Sequence, residues 1–142
     1  MSTLGDAIRV SASALSVERL RIEVATSNMA NAESTRGPDG QPFRRRDVVL
    51  SSDPIESFDA ALGRASAVGV KVAGIVEDQT PFKRRYDPSH PDADPSGFVA
   101  VPNVDVPEQM VDMMSASRAY QANLSAIGMI RDMIQRALEL GK

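Results

Sequence analysis

The residues with the most chemical potential lie in one short stretch, where His90 stands among Asp87, Asp92 and Asp94. One histidine with carboxylates suggests a metal. The pattern fails for zinc, because the chain has a single His and no Cys, and structural zinc sites draw on several such ligands. It fails for calcium as well. The run from Asp92 through Asp94 and Ser96 to Gly97 starts like a calcium loop, but Pro95 interrupts it and Asn103 stands where a bidentate Glu belongs. A proline-rich turn is the better reading. Two basic triplets, Arg44 to Arg46 and Lys83 to Arg85, have the charge to meet phosphates, yet acidic residues follow each closely and no aromatic stacking platform accompanies them. Solvated or inter-subunit charge is expected there. Nucleophile elbow, phosphate loop and dinucleotide fingerprint are all missing, so neither catalysis nor a cofactor is expected.

The composition narrows the class further. The 142 residues allow one ordinary domain, or a long helical part with a small appendage. Leu, Ile, Val and Phe make up about 23 per cent, little above the level of roughly 20 per cent below which chains tend to stay disordered. With no Trp, two Tyr and four Phe, the core is thin. Basic and acidic residues number 16 and 19, too balanced to argue for nucleic acid or an anionic membrane. No apolar run approaches 18 residues and no basic segment opens the chain, so neither a membrane span nor a cleaved signal peptide is expected. The absence of Cys excludes a disulfide framework and leaves the compartment open.

The elements that must position these residues are dominated by the last third. Met113, Tyr120, Ile127 and Ile134 fall seven apart, and Ser117, Leu124, Arg131 and Leu138 form a second row beside them. This is a heptad seam. Asp105 with Glu108 predicts a capping box, Pro107 suits a first turn, and Gly141 suits a C-terminal cap. A helix from Asp105 to Leu140 would be roughly 50 Å long at 1.5 Å per residue, longer than a domain of this size needs. The first segment repeats the pattern. Ile8, Leu15, Ile22 and Met29 predict a helix from near Thr3 to about Met29, with Asp6 as a weak capping partner of Thr3. Val10, Val17 and Val24 form a second stripe on it, and Ile130, Met133, Ala137 and Leu140 lie off the seam of the last helix. Two helices cannot hide four stripes, so other chains must cover the excess. Four of the seven methionines, at 110, 113, 114 and 129, belong to this packing surface.

Between the helices, residues 28–42 are dense in Asn, Ser, Gly and Pro and predict a loop. Arg44 to Ser51 predicts a short strand. Ser52 to Ala67 is weakly patterned. Val68, Val70 and Val72 alternate with small or polar residues and give the clearest strand signal, and Phe82 to Tyr86 and Phe98 to Val101 are further strands. The fold class is α+β, with a helical part formed discontinuously by 1–35 and 105–142 and a small β-rich middle part at 36–104.

Three stretches carry a family resemblance. ATSNMANAEST, Ala25 to Thr35, resembles the signature that closes the first helix of flagellar basal-body rod and hook proteins. GVKVAGIVEDQTPFKRRYDPSHPDADPSGFVAVPNVD, Gly69 to Asp105, and MVDMMSASRAYQAN, Met110 to Asn123, resemble basal-body rod proteins more specifically. The likeness extends over nearly the whole chain except Ser52 to Ala67. Ser27, Asn28, Ala30, Asn31, Ala32, Asn103 and Asp105 are its signature positions. Gln109 stands where the family usually has Glu, Phe98 where it often has Tyr, and Met29 where Leu is common.

The resemblance implies a structural subunit of the proximal rod, with no catalytic activity, no cofactor, no metal and no small-molecule substrate. Its terminal helices would pack as an antiparallel coiled coil and polymerise into a helical drive-shaft that transmits torque. The subunit interface would use Ile8, Leu15, Ile22, Met29, Met113, Tyr120, Leu124, Ile127, Ile134 and Leu138. The implied partners are further copies, the rod proteins FlgB, FlgF, FlgG and FliE, and the flagellar export apparatus. The implied location is the basal body within the periplasm, reached without a cleaved signal peptide. A soluble helical adaptor or export-chaperone-like module gripping one partner is the rival reading, and a metal- or carbohydrate-binding enzyme domain built on Asp87 to Asp94 is a third.

Overall fold

The computed structural model describes residues 2–54 and 67–140. Its elements are α1 (Ser2–Ala30), β1 (Arg46–Pro54), β2 (Val68–Glu77), β3 (Lys83–Tyr86), β4 (Phe98–Val101) and α2 (Val106–Leu140). This is the expected α+β order. Helix α1 begins before Thr3, so Thr3 lies within the helix instead of capping it. At α2, Asp105 caps as expected, its Oδ1 accepting the Glu108 N–H at 3.4 Å and its carbonyl accepting the Gln109 N–H at 3.0 Å. The capping box does not close, because the Glu108 carboxylate is drawn to Arg45 Nη1 at 3.2 Å. Gly141 lies outside the described residues, as does most of the weakly patterned segment, of which 52–54 belong to β1.

The strands form two two-stranded sheets, β1 with β2 and β3 with β4. Ion pairs from Arg46 to Glu77 at 3.6 Å and from Lys71 to Asp53 at 3.0 Å join the start of each of β1 and β2 to the end of the other. The pair is therefore antiparallel. Strands β3 and β4 are antiparallel too, with Arg84 opposite Ala100 and Tyr86 opposite Phe98. Side chains alternate across a strand. Arg84, Tyr86, Phe98 and Ala100 thus share one face, which is exposed, while Val99 on the other is fully buried.

The chain divides into two compact units. The first comprises 1–20, 49–74 and 115–142. Its buried side chains include Val17, Ala116 and Ile130. Here β2 approaches α1 closely at Gly69, where a Cβ would sit 2.8 Å from Ser13 Oγ. That oxygen donates to the Val10 carbonyl at 2.7 Å and accepts the Val70 N–H at 3.2 Å, so it cannot swing aside without losing both. The second unit comprises 21–48 and 75–114. Its core holds Ala25, Val99, Pro102 and Val104 around three polar side chains, Asn28, Asn103 and Gln109. Asn28 meets Gln109, and Thr26 meets Met113. Moving back along α1 moves forward along α2, so the helices run antiparallel through this unit.

Burial along α2 shows which heptad rows turn inward. Gln109, Ala116 and Ile130 are buried and Asn123 is half-buried; Met113, Tyr120, Ile127 and Ile134 are half-buried. These eight positions alternate in steps of four and three, the spacing of a coiled-coil seam. Leu124 and Leu138, of the other expected row, are 55% and 58% exposed, and Arg131 is exposed.

Candidate subunit interface and its polar node

Two of the signature residues, Asn28 and Asn103, build the polar node of the second unit. Asn28, in the last turn of α1, is 1% exposed. Its Nδ2 donates to the Arg46 carbonyl at 2.8 Å and to Gln109 Oε1 at 2.7 Å, and its Oδ1 accepts the Arg46 N–H at 3.0 Å. One side-chain amide thereby pairs with both backbone groups of a strand residue, as a neighbouring strand would. Asn103, just before α2, serves the adjacent residue. Its Oδ1 accepts the Arg45 N–H at 2.9 Å, and its Nδ2 donates to Thr80 Oγ1 at 2.8 Å and to the Asp78 carbonyl at 3.2 Å. The two asparagines hold the start of β1 to both helix ends. Asn31 closes α1, its backbone N–H and Nδ2 both donating to the Ser27 carbonyl, at 3.1 and 2.8 Å. That carbonyl is one of those a helix end leaves without a partner. Ala32 N–H donates to the Met29 carbonyl at 3.2 Å, and Ala30 is exposed.

Arg45 sits in the same node. Its guanidinium pairs with Asp78 at 3.0 Å and with Asp47 and Glu108 at 3.2 Å. Burial lowers its pKa, but the charges of Asp47, Glu108 and Asp78 outweigh that and leave it raised. Asp78 is held below the usual carboxylate range, first by the Thr80 N–H and then by the Thr80 hydroxyl and Arg45, against an opposing effect of burial.

Five of the six residues in the basic triplets have partners within the chain, while the side chains of Arg46, Lys83 and Arg85 stay about half exposed, so intrachain pairing is added to the expected solvated charge. Arg44 lies over the Phe82 ring at 4.3 Å and donates to the Asp78 carbonyl at 3.3 Å. Arg46 pairs with Glu77 and lies over the Phe43 ring at 5.4 Å. Lys83 donates to the Val104 carbonyl at 3.1 Å and pairs with Asp105 at 3.6 Å, and Arg85 meets Glu33 at 2.6 Å. Arg84 alone of the six has no such partner among the described residues.

The stretch around His90 folds as the proline-rich turn. Asp87 Oδ1 accepts the Ser89 hydroxyl at 2.7 Å, a bond that holds its pKa below the usual carboxylate range. Asp94 Oδ1 accepts the Ser96 and Phe98 N–H groups at 2.8 and 2.9 Å, and His90 Nδ1 accepts the Asp92 N–H at 3.1 Å. Asp92 points elsewhere, accepting the Thr35 hydroxyl at 2.9 Å. Gly97 has φ +78°, a left-handed conformation suited to glycine. Among the described residues no three His, Asp or Glu side chains converge as metal donors.

The expected interface positions divide by exposure. Ile8, Leu15, Ile22, Met29, Met113, Tyr120, Ile127 and Ile134 are half-buried within the chain, whereas Leu124 and Leu138 are exposed. Large apolar side chains outside that set are exposed on α2 as well: Met110 51%, Val111 65%, Met114 53%, Met129 62% and Met133 51%. The sequence did mark Met110, Met114 and Met129 as packing surface. It gave no sign that Asn28, Asn103 and Gln109 would pack together, since their partners are remote in the chain.

A helix of 29 residues and one of 35, joined by two small sheets and leaving apolar surface along the longer helix, describe an axial assembly protein better than a catalytic domain. Family models agree at both ends: "Flagella basal body rod protein" matches residues 8–38, and "Flagellar basal body rod FlgEFG protein C-terminal" matches residues 96–140. The flagellar basal-body rod protein FlgC of Salmonella typhimurium is 47% identical over 133 residues, 94% of each chain. FlgC of Bacillus subtilis is 43% identical over 145 residues, 95% of this chain and 96% of its own. FlgC of Borreliella burgdorferi is 39% identical over 151 residues, 96% of this chain and 97% of its own. The chain belongs to the FlgC family of flagellar basal-body rod proteins and is a structural rod subunit of the basal body.

Proposed function

We propose that this subunit polymerises through its terminal helices, adding copies and other rod proteins into a helical drive-shaft that transmits torque. The observation carrying this reading is the apolar surface that α2 leaves uncovered in the single chain, above all Leu124, Leu138, Met129 and Met133. Large apolar side chains left exposed on two sides of one helix mark contacts with other proteins. Heterologous contacts that do not close make a filament. FlgB, FlgF, FlgG and FliE are the neighbours in this reading, and the subunit acts without catalysis. In this reading it reaches the periplasmic rod through the flagellar export apparatus. Among the described residues no helix is long and apolar enough to cross a membrane.

Sedimentation velocity of the purified chain over a range of concentrations tests the reading. A subunit that polymerises shows weight-average mass rising without a plateau. A plateau at one small stoichiometry would favour the module that grips a single partner.

A further inference from the structure

Within the unit formed by 21–48 and 75–114, every charged residue is engaged in an interaction except two, which have no hydrogen-bond or ion-pair partner among the described residues. The exceptions are of opposite sign, Arg84 and Asp112. Each stands in a setting suited to a contact. Arg84 lies on the exposed face of β3 and β4 with Tyr86, 65% exposed, and Phe98, 39% exposed, whose rings meet edge-on at 5.3 Å. An arginine beside two ordered aromatic rings is the composition that dominates binding energy at protein interfaces. Asp112 lies on α2 in a cleft of about 170 Å³ with Val24, Ala25 and Val48 among its walls. The other charges at this cleft are already engaged: Arg46 with Glu77, Asp47 with Arg45, and Arg21 with a partner of its own.

We propose that these two features are the halves of one contact, in which Arg84 of one copy of this chain enters the mainly polar Asp112 cleft of the next while its Tyr86–Phe98 ridge packs beside Val24 and Val48 at the cleft wall. The occupant is a second copy because the surplus cation and the surplus anion belong to the same chain. The two halves are different surfaces, so the contact is heterologous and leaves a free half at each end. This rests on the polymerising reading above and names a pair of surfaces for it.

Charge reversal tests the pairing, and both side chains are exposed, so neither substitution disturbs the core. Arg84→Asp and Asp112→Arg are each expected to raise the concentration needed for assembly at least tenfold in sedimentation, since each places like charges together at every junction. An equimolar mixture of the two variants is expected to assemble within about threefold of the unmodified chain, because alternating copies restore an opposite-charge pair at each junction. If the single variants assemble as the unmodified chain does, or the mixture fails to recover, the pairing is overturned while polymerisation stands. If the unmodified chain stays monomeric at all concentrations, the second copy is not the occupant and the polymerising reading falls with it.

Discussion

Asn28 Nδ2 donates to Gln109 Oε1 at 2.7 Å, and both side chains are almost wholly buried. This bond joins the last turn of α1 to the first turn of α2, and the same Asn28 amide fixes the first residue of β1. Three elements distant in sequence therefore converge on one side chain.

Asn28→Leu keeps the heavy-atom count and branching but leaves the Arg46 N–H, the Arg46 carbonyl and Gln109 Oε1 without partners. A buried polar group left unsatisfied costs about 1–3 kcal/mol. The expected loss in urea unfolding is more than about 2 kcal/mol, short of the full sum because the strand start can relax toward water. Gln109→Leu should cost less, since it orphans one donor. Gln109→Glu retains the acceptor and brings a carboxylate to a cleft that Arg21 and Arg46 also line, so at neutral pH it is expected to lose less than Gln109→Leu. A ranking in which Gln109→Glu is the worst of the three would show that burial of the charge outweighs the bond.

How far this was legible in the sequence depends on the side-chain type at each position. The Met113, Tyr120, Ile127 and Ile134 row stood out because all four are large and apolar at a fixed spacing. Its companion, Gln109, Ala116, Asn123 and Ile130, did not, because three of its four members are polar or small. The row with Leu124 and Leu138 is more conspicuous in the sequence and lies at an equally suitable spacing from the first. Strand β2 was readable from Val68, Val70 and Val72. The end of β1 was not, because SSDP has no alternation and is held by pairing with β2. Asn28 and Asn103 were recognisable only as signature residues. Asn28 bonds to Arg46, 18 residues away, and Asn103 to Arg45, 58 away, and no local pattern encodes such distances.

Acid should weaken the second unit in a defined window. The lowered pKa of Asp78 means that its proton binds less tightly in the folded chain than in the unfolded one. Its contribution is therefore complete above the ordinary Asp value of about 4 and is lost as pH falls from there through the lowered folded value. Asp87, held low chiefly by the Ser89 hydroxyl, adds loss of the same sign in the same window. The melting temperature is expected to be level between pH 7 and 5 and to fall below about pH 4. Asp78→Asn should lower it at pH 7 and flatten the fall at acid pH. An equally steep fall in Asp78→Asn would assign the acid lability to other carboxylates.

The last prediction separates the two apolar rows of α2. Ile127 is half-buried on the inward row beside buried Ile130, whereas Leu124, three residues earlier, is exposed. A carboxylate at position 127 meets apolar surface of its own chain, and desolvating it costs several kcal/mol unless it protonates. Ile127→Asp is therefore expected to lower the stability of the isolated subunit as well as its assembly. Leu124→Asp places the charge in water while the subunit is free and meets the penalty only when another chain covers that face. Its unfolding midpoint should match the unmodified chain within about 0.5 kcal/mol, the usual range for a surface change. Its assembly should fail, leaving cells that carry it non-motile. Gln41→Asp, exposed in the loop after α1, is the control and should leave both stability and swimming intact. If Leu124→Asp subunits are stable and their cells swim normally, the exposed row of α2 faces water in the rod, and the contacts that build the polymer lie elsewhere on the chain.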